Sequence, residues 1–253
     1  MSDSCRFPVR GRKYLARGTS PQRGRTEIDF SDVRLSDIAG RGFLARLSPD
    51  LVDEVVRSAR LASYPTGTAI FSPREESGPS VVVTGSLRYF LATPDGRQLT
   101  IRYLLPGDLV GTLTSGQPNF SSHLEFLEPG VLLHLDRERM MAIAARRPEL
   151  ALALIDELVG RLRLAYRALA AHAFMSVRVR VARDVVERAN IRGPLRTGLQ
   201  IDVTQQSLAD ATGSVREVVS RALGELRREG VLATNADGIT VLDPEALERA
   251  AAL

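Results

Sequence analysis

VTQQSLADATGSVREVVSRALGELRREGVLATNADGITVL, the stretch from Val203 to Leu242, divides into three pieces by physical signal. Thr204 stands just before Gln205 to Ala211, so a hydroxyl N-cap predicts a short helix there. Thr212-Gly213-Ser214 interrupts it, because glycine takes the left-handed backbone that ends a helix; Ser214 is expected to cap the next one. That second helix is expected from Val215 to about Glu229. Val215, Val219, Ala222 and Leu226, flanked by Val218 and Leu223, keep the 3.6-residue period of a one-sided helix. Its opposite face carries Arg216, Glu217, Ser220 and Arg221 near the N-terminus, and Gly230 closes it. Val231-Leu232-Ala233 and Ile239 to Leu242 then flank Asp237-Gly238, a strand–turn–strand signal.

Two short helices joined by a glycine turn and followed by a hairpin make a winged helix-turn-helix. The second helix of that motif enters the DNA major groove and reads bases with residues near its N-terminus. An arginine fork can bond guanine O6 and N7 together, and glutamate can accept from cytosine N4. A solvated face with ordinary salt pairing is the competing explanation for Arg216, Glu217 and Arg221. Position, turn and wing agree on the first, and that consistency across levels favours DNA.

These residues carry a resemblance. Thr204…Leu208-Ala209, followed by Gly213-Ser214-Val215-Arg216-Glu217-Val218-Val219-Ser220-Arg221, resembles the DNA-binding end of the CRP/FNR regulators, the cyclic-AMP receptor protein and its relatives. The resemblance extends upstream over most of the chain and weakens toward the sensor pocket. It implies that Arg216, Glu217 and Arg221 read bases, with Ser220 a candidate fourth, and that Thr204 and Gln206 touch phosphate. Its further implications are a homodimer on an inverted repeat in double-stranded DNA, half-sites of the TGA-containing kind, and contact with RNA polymerase.

Composition sets the frame. At 253 residues, with 44% hydrophobic and 25% charged side chains, the chain reads as a globular protein of two domains and a linker. No apolar run approaches the roughly 18 residues of a membrane span, and no hydrophobic segment near the start reads as a secretory signal. Cys5 is the single cysteine, which excludes an intrachain disulfide and the four thiolates of an iron–sulfur cluster, and a reducing cytoplasm fits. The net charge is +4, and residues 1–30 hold seven basic side chains against three acids, so the rest of the chain is neutral overall. Local pattern rather than net charge therefore carries the DNA argument. The Arg-rich, Gly- and Pro-containing opening is expected to be a disordered arm, solvated or adding nonspecific phosphate affinity.

Upstream, Ser48-Pro49 with Asp50 behind it predicts a helix start after a short helical Phe43–Leu47 segment. From Leu61 to Leu135 the pattern is short strands with evenly spaced turns, Tyr64–Thr68, Pro94-Asp95-Gly96 and Pro106-Gly107-Asp108 among them. That predicts a small antiparallel barrel or roll. The Pro-x-Gly-Thr and Pro-Gly-Asp turns resemble those of the cyclic-nucleotide-binding β-roll. That family pattern places a glutamate and an arginine where this chain has Gly111-Thr112-Leu113 and Phe120-Ser121-Ser122. Without a cation there, burying a phosphate is costly, and no functional cyclic-AMP binding is expected. A different small molecule, haem and no effector at all stay open as occupants of a pocket around Gly111, Thr112, Ser121, Ser122 and Tyr166; no cofactor is assigned. His123, Glu125 and His134 faintly resemble the ligands of a metal-binding β-barrel, without its full spacing, and half-buried or surface histidines are the expectation.

From Pro148, the residues Ala151, Ile155, Leu158, Leu162, Ala165, Leu169 and His172 alternate spacings of four and three, a heptad seam over three heptads. It predicts a parallel two-fold helix pair, with Ile155, Leu158, Leu162, Ala165 and Leu169 as the dimer contacts. Phe174-Met175-Ser176 reads as a hinge, and Ser176 as the cap of a helix buried through Val177, Val181, Val185 and Ala189. Arg178, Arg180 and Arg183 near its start are candidates for phosphate contact.

The expected architecture is α+β: a basic arm (1–42), an antiparallel β-roll sensor (43–136), a dimerisation helix region (137–175) and a winged helix-turn-helix (176–253). The expected function is a sequence-specific, non-enzymatic transcription regulator. A ligand- or metal-binding β-barrel protein and a protein-interaction adaptor are the alternatives; no nucleophile–base pair or phosphate loop supports an enzyme.

Overall fold

The structure, a computed structural model, describes residues 25–28, 39–71, 78–93, 95–111, 121–235 and 238–252. Among these, the N-terminal strands are β1 (Thr26–Ile28), β2 (Arg60–Tyr64), β3 (Ala69–Phe71), β4 (Ser80–Thr84), β5 (Leu87–Ala92), β6 (Gln98–Leu104), β7 (Leu109–Val110), β8 (Ser121–Phe126) and β9 (Gly130–His134). They form a five-stranded sheet, β1-β2-β9-β4-β7, and a four-stranded sheet, β3-β8-β5-β6, with antiparallel pairing throughout. This is the expected roll.

Side-chain alternation explains why the larger sheet is buried on both faces. Ala62, Val82 and Leu132 point inward and share the roll interior with Tyr64, Leu87, Leu104 and Phe126. Their neighbours Leu61, Val81 and Leu133 point outward into a second core. That core is built by a 3-10 turn (Leu44–Arg46), α1 (Pro49–Val56), α2 (Arg137–Arg146) and the first turns of α3 (Pro148–Phe174). Gly42 lets the chain cross the β6–β7 turn: a Cβ there would lie 2.1 Å from the Gly107 carbonyl oxygen, and Phe43 N–H donates to that same oxygen at 2.9 Å.

One expectation is corrected here, and one gains a detail. The segment read as a disordered arm contains β1, which pairs with β2 from Thr26↔Ser63 to Ile28↔Leu61. The open edge of β2 supplies the partner, a long-range feature that composition does not encode. Ser48 occupies the N-cap of α1 as expected but makes no capping bond; its hydroxyl donates instead to Glu149 at 3.0 Å, joining α1 to α3.

Past Ser176, which accepts from Val179 N–H, α4 (Val177–Arg192) leads through β10 (Gln200–Ile201) into α5 (Gln205–Thr212) and α6 (Arg216–Arg228). The hairpin β11 (Leu232–Asn235) and β12 (Gly238–Val241) follows, and α7 (Pro244–Ala251) ends the described chain. β12 pairs on its other side with β10, and one core built on Val181, Val185, Leu208, Val219, Leu226 and Leu247 joins these elements. Asp237, expected in the hairpin turn, lies outside the described residues. Gly238 is required for close approach, since a Cβ there would meet the Ile201 carbonyl oxygen at 2.2 Å.

Candidate nucleic-acid interface

Thr204 N-caps α5, its Oγ1 accepting from Ser207 N–H at 3.0 Å. At the far end Gly213 adopts φ 61° and ψ 36°, the left-handed conformation that only glycine takes without strain. Ser214 N–H then donates to the Ala209 carbonyl at 2.9 Å, the closing bond of a helix stop. Ser214 is therefore spent on ending α5 and does not cap α6. Val215 takes the N-cap position with extended backbone and no side-chain cap bond, and it is 55% exposed rather than part of the buried stripe. That stripe is Val219, Ala222, Leu223 and Leu226.

The opposite face of α6 presents Arg216, Glu217, Ser220 and Arg221, all exposed. Among the described residues none of the four side chains has a hydrogen bond or ion pair, although Glu217 and Arg221 stand at the i,i+4 spacing that favours pairing. Arg216 occupies the first helical position, where the macrodipole disfavours a cation by about 0.3–1 kcal/mol. An exposed, unpaired cation against the dipole does nothing for the helix and suits an external anion or base edge. Thr204 and Gln206 are exposed at the start of α5, with Gln206 donating to Asp210 at 2.9 Å.

The arginines at the start of α4 are engaged inward. Arg178 pairs with Glu229 and, at 3.8 Å, with Glu225 of α6. Arg180 donates to the carbonyls of Met175 at 2.9 Å and Thr212 at 3.3 Å, and Arg183 lies 3.8 Å from Glu187. They brace the hinge and the helix-turn-helix. His172 also leaves the seam it was assigned to: Nδ1 lies 2.9 Å from the Ala168 carbonyl and Nε2 3.2 Å from that of Thr212.

From Ile155 to Leu169 the seam is bare on one protomer. Ile155, Leu158, Leu162 and Leu169 are 51–66% exposed, and Ala165 is exposed between them. Tyr166 is exposed beside them rather than packed on the roll. Leu150, Ala153 and Leu154, by contrast, are buried in the roll-side core.

Of the pocket residues, Gly111, Ser122 and Tyr166 are the ones whose surroundings are described. Thr112 lies outside the described residues, as does the side chain of Ser121; Ser122 is buried on β8, in the four-stranded sheet. Gly111 is met from elsewhere: its carbonyl accepts from Arg161 Nη1 at 2.7 Å. The Leu109 carbonyl accepts from Arg161 Nη2 at 2.7 Å and from Arg102 Nη2 at 2.9 Å. Glu157 joins them, 2.9 Å from Arg161, 3.6 Å from Arg46 and 3.9 Å from Arg102. Cations thus do reach this junction, from β6 and α3 rather than from the segment that carries them in the nucleotide-binding pattern. The one signal for them in the sequence is the i,i+4 pair Glu157–Arg161.

His123 and His134 sit in different sheets. His123 stacks on Phe90 with centroids 5.0 Å apart, while His134 lies 2.8 Å from both the Tyr64 hydroxyl and Ser80 Oγ. Glu125 is taken by Arg88 at 2.7 Å. Among the described residues no three metal-ligating side chains converge, and no helix is long and apolar enough to cross a membrane.

Comparison with known proteins agrees with this geometry. Residues 179–250 match the Crp-like helix-turn-helix domain and residues 61–147 the cyclic nucleotide-binding domain. The transcriptional regulator LdrP of Thermus thermophilus is 35% identical over 172 residues, covering 66% of this chain and 84% of that protein. The cyclic AMP receptor protein of Thermus thermophilus is 31% identical over 210 residues, covering 81% and 94%. A solved transcriptional regulator of the CRP/FNR family from the same species superposes with a TM-score of 0.63 at 27% identity, covering 76% of this chain and 97% of that one.

Proposed function

The chain belongs to the CRP/FNR family of DNA-binding transcription regulators, and from that premise we propose that it works as a homodimer on an inverted repeat. Two copies of α6 enter successive major grooves about one helical turn apart. Arg216, Glu217 and Arg221 read bases, Ser220 assists, and Thr204 and Gln206 hold phosphates. The observation that carries this reading is the exposed, unpaired Arg216–Glu217–Arg221 face at the start of α6.

Ile155, Leu158, Leu162, Ala165 and Leu169 supply the dimer contact, since an apolar stripe of this length left in water favours association. The sensor is the roll over residues 43–136, the dimer region 137–175 and the reading head 176–253. Residues 1–42 form a basic N-terminal segment whose β1 joins the edge of the roll. The protein operates in the cytoplasm, contacts RNA polymerase and catalyses no reaction; its relatives are transcription regulators.

Its effector is not cyclic AMP. Arg102 and Arg161 are already engaged by carbonyls and Glu157, so a phosphate entering the junction would first have to displace them. A different effector, or effector-independent activity, follows. Selection of binding sites from a random duplex library tests the reading, with footprinting and sedimentation of the selected complex. The expected result is a palindrome protected by a dimer. Absence of any enriched palindrome, or a protomer that stays single on duplex, would overturn it.

A further inference from the structure

Strand β6 carries two neighbouring side chains to opposite sides of its sheet. Arg102 faces the junction with the dimer helix, where it meets Leu109 and Glu157. Tyr103 faces the head, and its hydroxyl donates to Asp184 Oδ1 on α4 at 2.6 Å. The other carboxylate oxygen of Asp184 accepts from Arg188 Nε at 2.6 Å. Arg188 in turn lies 5.3 Å from the centroid of the Tyr103 ring and donates to Ser207 of α5 at 3.2 Å. Asp184 and Arg188 are 7% and 8% exposed, so an ion pair of the head is sealed by a phenol from the roll. Burial, then the Asp184 charge, holds the Tyr103 hydroxyl well above its ordinary pKa, which keeps it a donor.

The docking has a second patch at the helix-turn-helix turn. A Cβ on Gly213 would lie 3.7 Å from Leu99 Cδ1 of β6, and His172 closes on Thr212 from α3. Both patches use α4, α5 and the turn. Neither uses Arg216, Glu217, Ser220 or Arg221, which stay exposed while the head is docked.

We propose that Tyr103, with Asp184 and Arg188, is a positioning latch that holds the reading head on the roll in the orientation that binds DNA. Through Arg102, β6 links this latch to the junction of roll and dimer helix. The inference rests on α6 being the DNA-reading helix. A head swinging on the Met175–Ser176 hinge loses rotational freedom when both half-sites are engaged, whereas a docked head has lost it beforehand. Removing the latch therefore weakens operator binding without touching a base-reading residue.

The test uses the full-length protein and its selected operator. Tyr103→Phe keeps the ring beside Arg188 and deletes only the hydroxyl; Asp184→Asn removes the charge; the double variant closes a mutant cycle. Each single variant is expected to bind operator about 5- to 50-fold more weakly, with the double little worse than the weaker single, as coupled residues behave. Hydrogen exchange should quicken at Gln98–Leu104 and Gln205–Thr212 and stay unchanged at Val219–Leu226 and along α3. If Asp184→Asn loosens the head core as well, Tyr103→Phe decides, because it leaves the ion pair whole. Unchanged or tighter operator binding by Tyr103→Phe overturns the latch. A wild type that selects no operator instead overturns the functional reading, and the exchange data then report the docking on their own.

Discussion

His134 Nε2 lies 2.8 Å from the Tyr64 hydroxyl, and its other ring nitrogen lies the same distance from Ser80 Oγ. Burial, helped by the nearby Arg25, lowers the His134 pKa to about 4. The folded state therefore prefers the neutral ring, and the unfolded chain, with a pKa near 6.5, binds the extra proton first. Stability contributed by the neutral ring is complete above about pH 6.5 and is lost as pH falls through the window down to about 4. The full loss, reached below both values, is on the order of 3 kcal/mol. Urea unfolding of wild type and His134→Asn at pH 7 and pH 4.5 checks it. The stability gap between the two should shrink at the lower pH, and a constant gap would contradict the linkage.

Arg221→Ala should weaken operator binding by about 1–3 kcal/mol and relax preference at one guanine, the loss expected of a bidentate contact. Fluorescence anisotropy on the operator and on single-base variants separates this from a phosphate contact. Equal weakening on every sequence would remove Arg221 from the base readers. Fold stability should not move, because the side chain is exposed and unpaired.

What the sequence disclosed follows from the range of its signals. α3, from Pro148 to Phe174, and the α5–turn–α6 unit were legible because period, caps and glycine are local. The roll was legible from turns spaced along the chain. The α+β architecture and the family are borne out. Contacts between residues far apart in sequence were invisible: Tyr103 with Asp184, Arg161 with Gly111, β1 with β2. At Arg178, Arg180 and Arg183 the sequence displayed the charge but not the carboxylates and carbonyls that each of them meets. Ser214 misled because its backbone N–H, not its hydroxyl, has the structural task.

Gly213→Ala should destabilise the head by roughly 1–2 kcal/mol, the penalty of a left-handed backbone at a residue with a Cβ. The new methyl would also press on His172, whose Nε2 lies 3.2 Å from its position. Thermal unfolding should show the loss, and operator affinity should fall because Arg216 follows the turn by three residues. Gly198→Ala, also at positive φ but with open space around it, controls for strain away from the reading helix. It should lower stability and leave base preference intact.

The apolar stripe on α3 gives the sharpest test of association. Leu158 and Leu162 are 60% and 51% exposed on one protomer, consecutive positions of the seam four residues apart. In a parallel pair each meets its own symmetry mate, so Leu158→Glu with Leu162→Glu would set four carboxylates along one seam. Losing the burial of a leucine removes about 1.5–3 kcal/mol per side chain, and like charges in contact add to that. Sedimentation should show a dissociation constant raised by at least 100-fold, while the circular dichroism of the protomer is unchanged because neither residue belongs to its core. Operator binding should fall with it, since a single head keeps one half-site and loses the high effective concentration of the second. Dimers that persist in the double variant would place the self-association surface elsewhere on the chain.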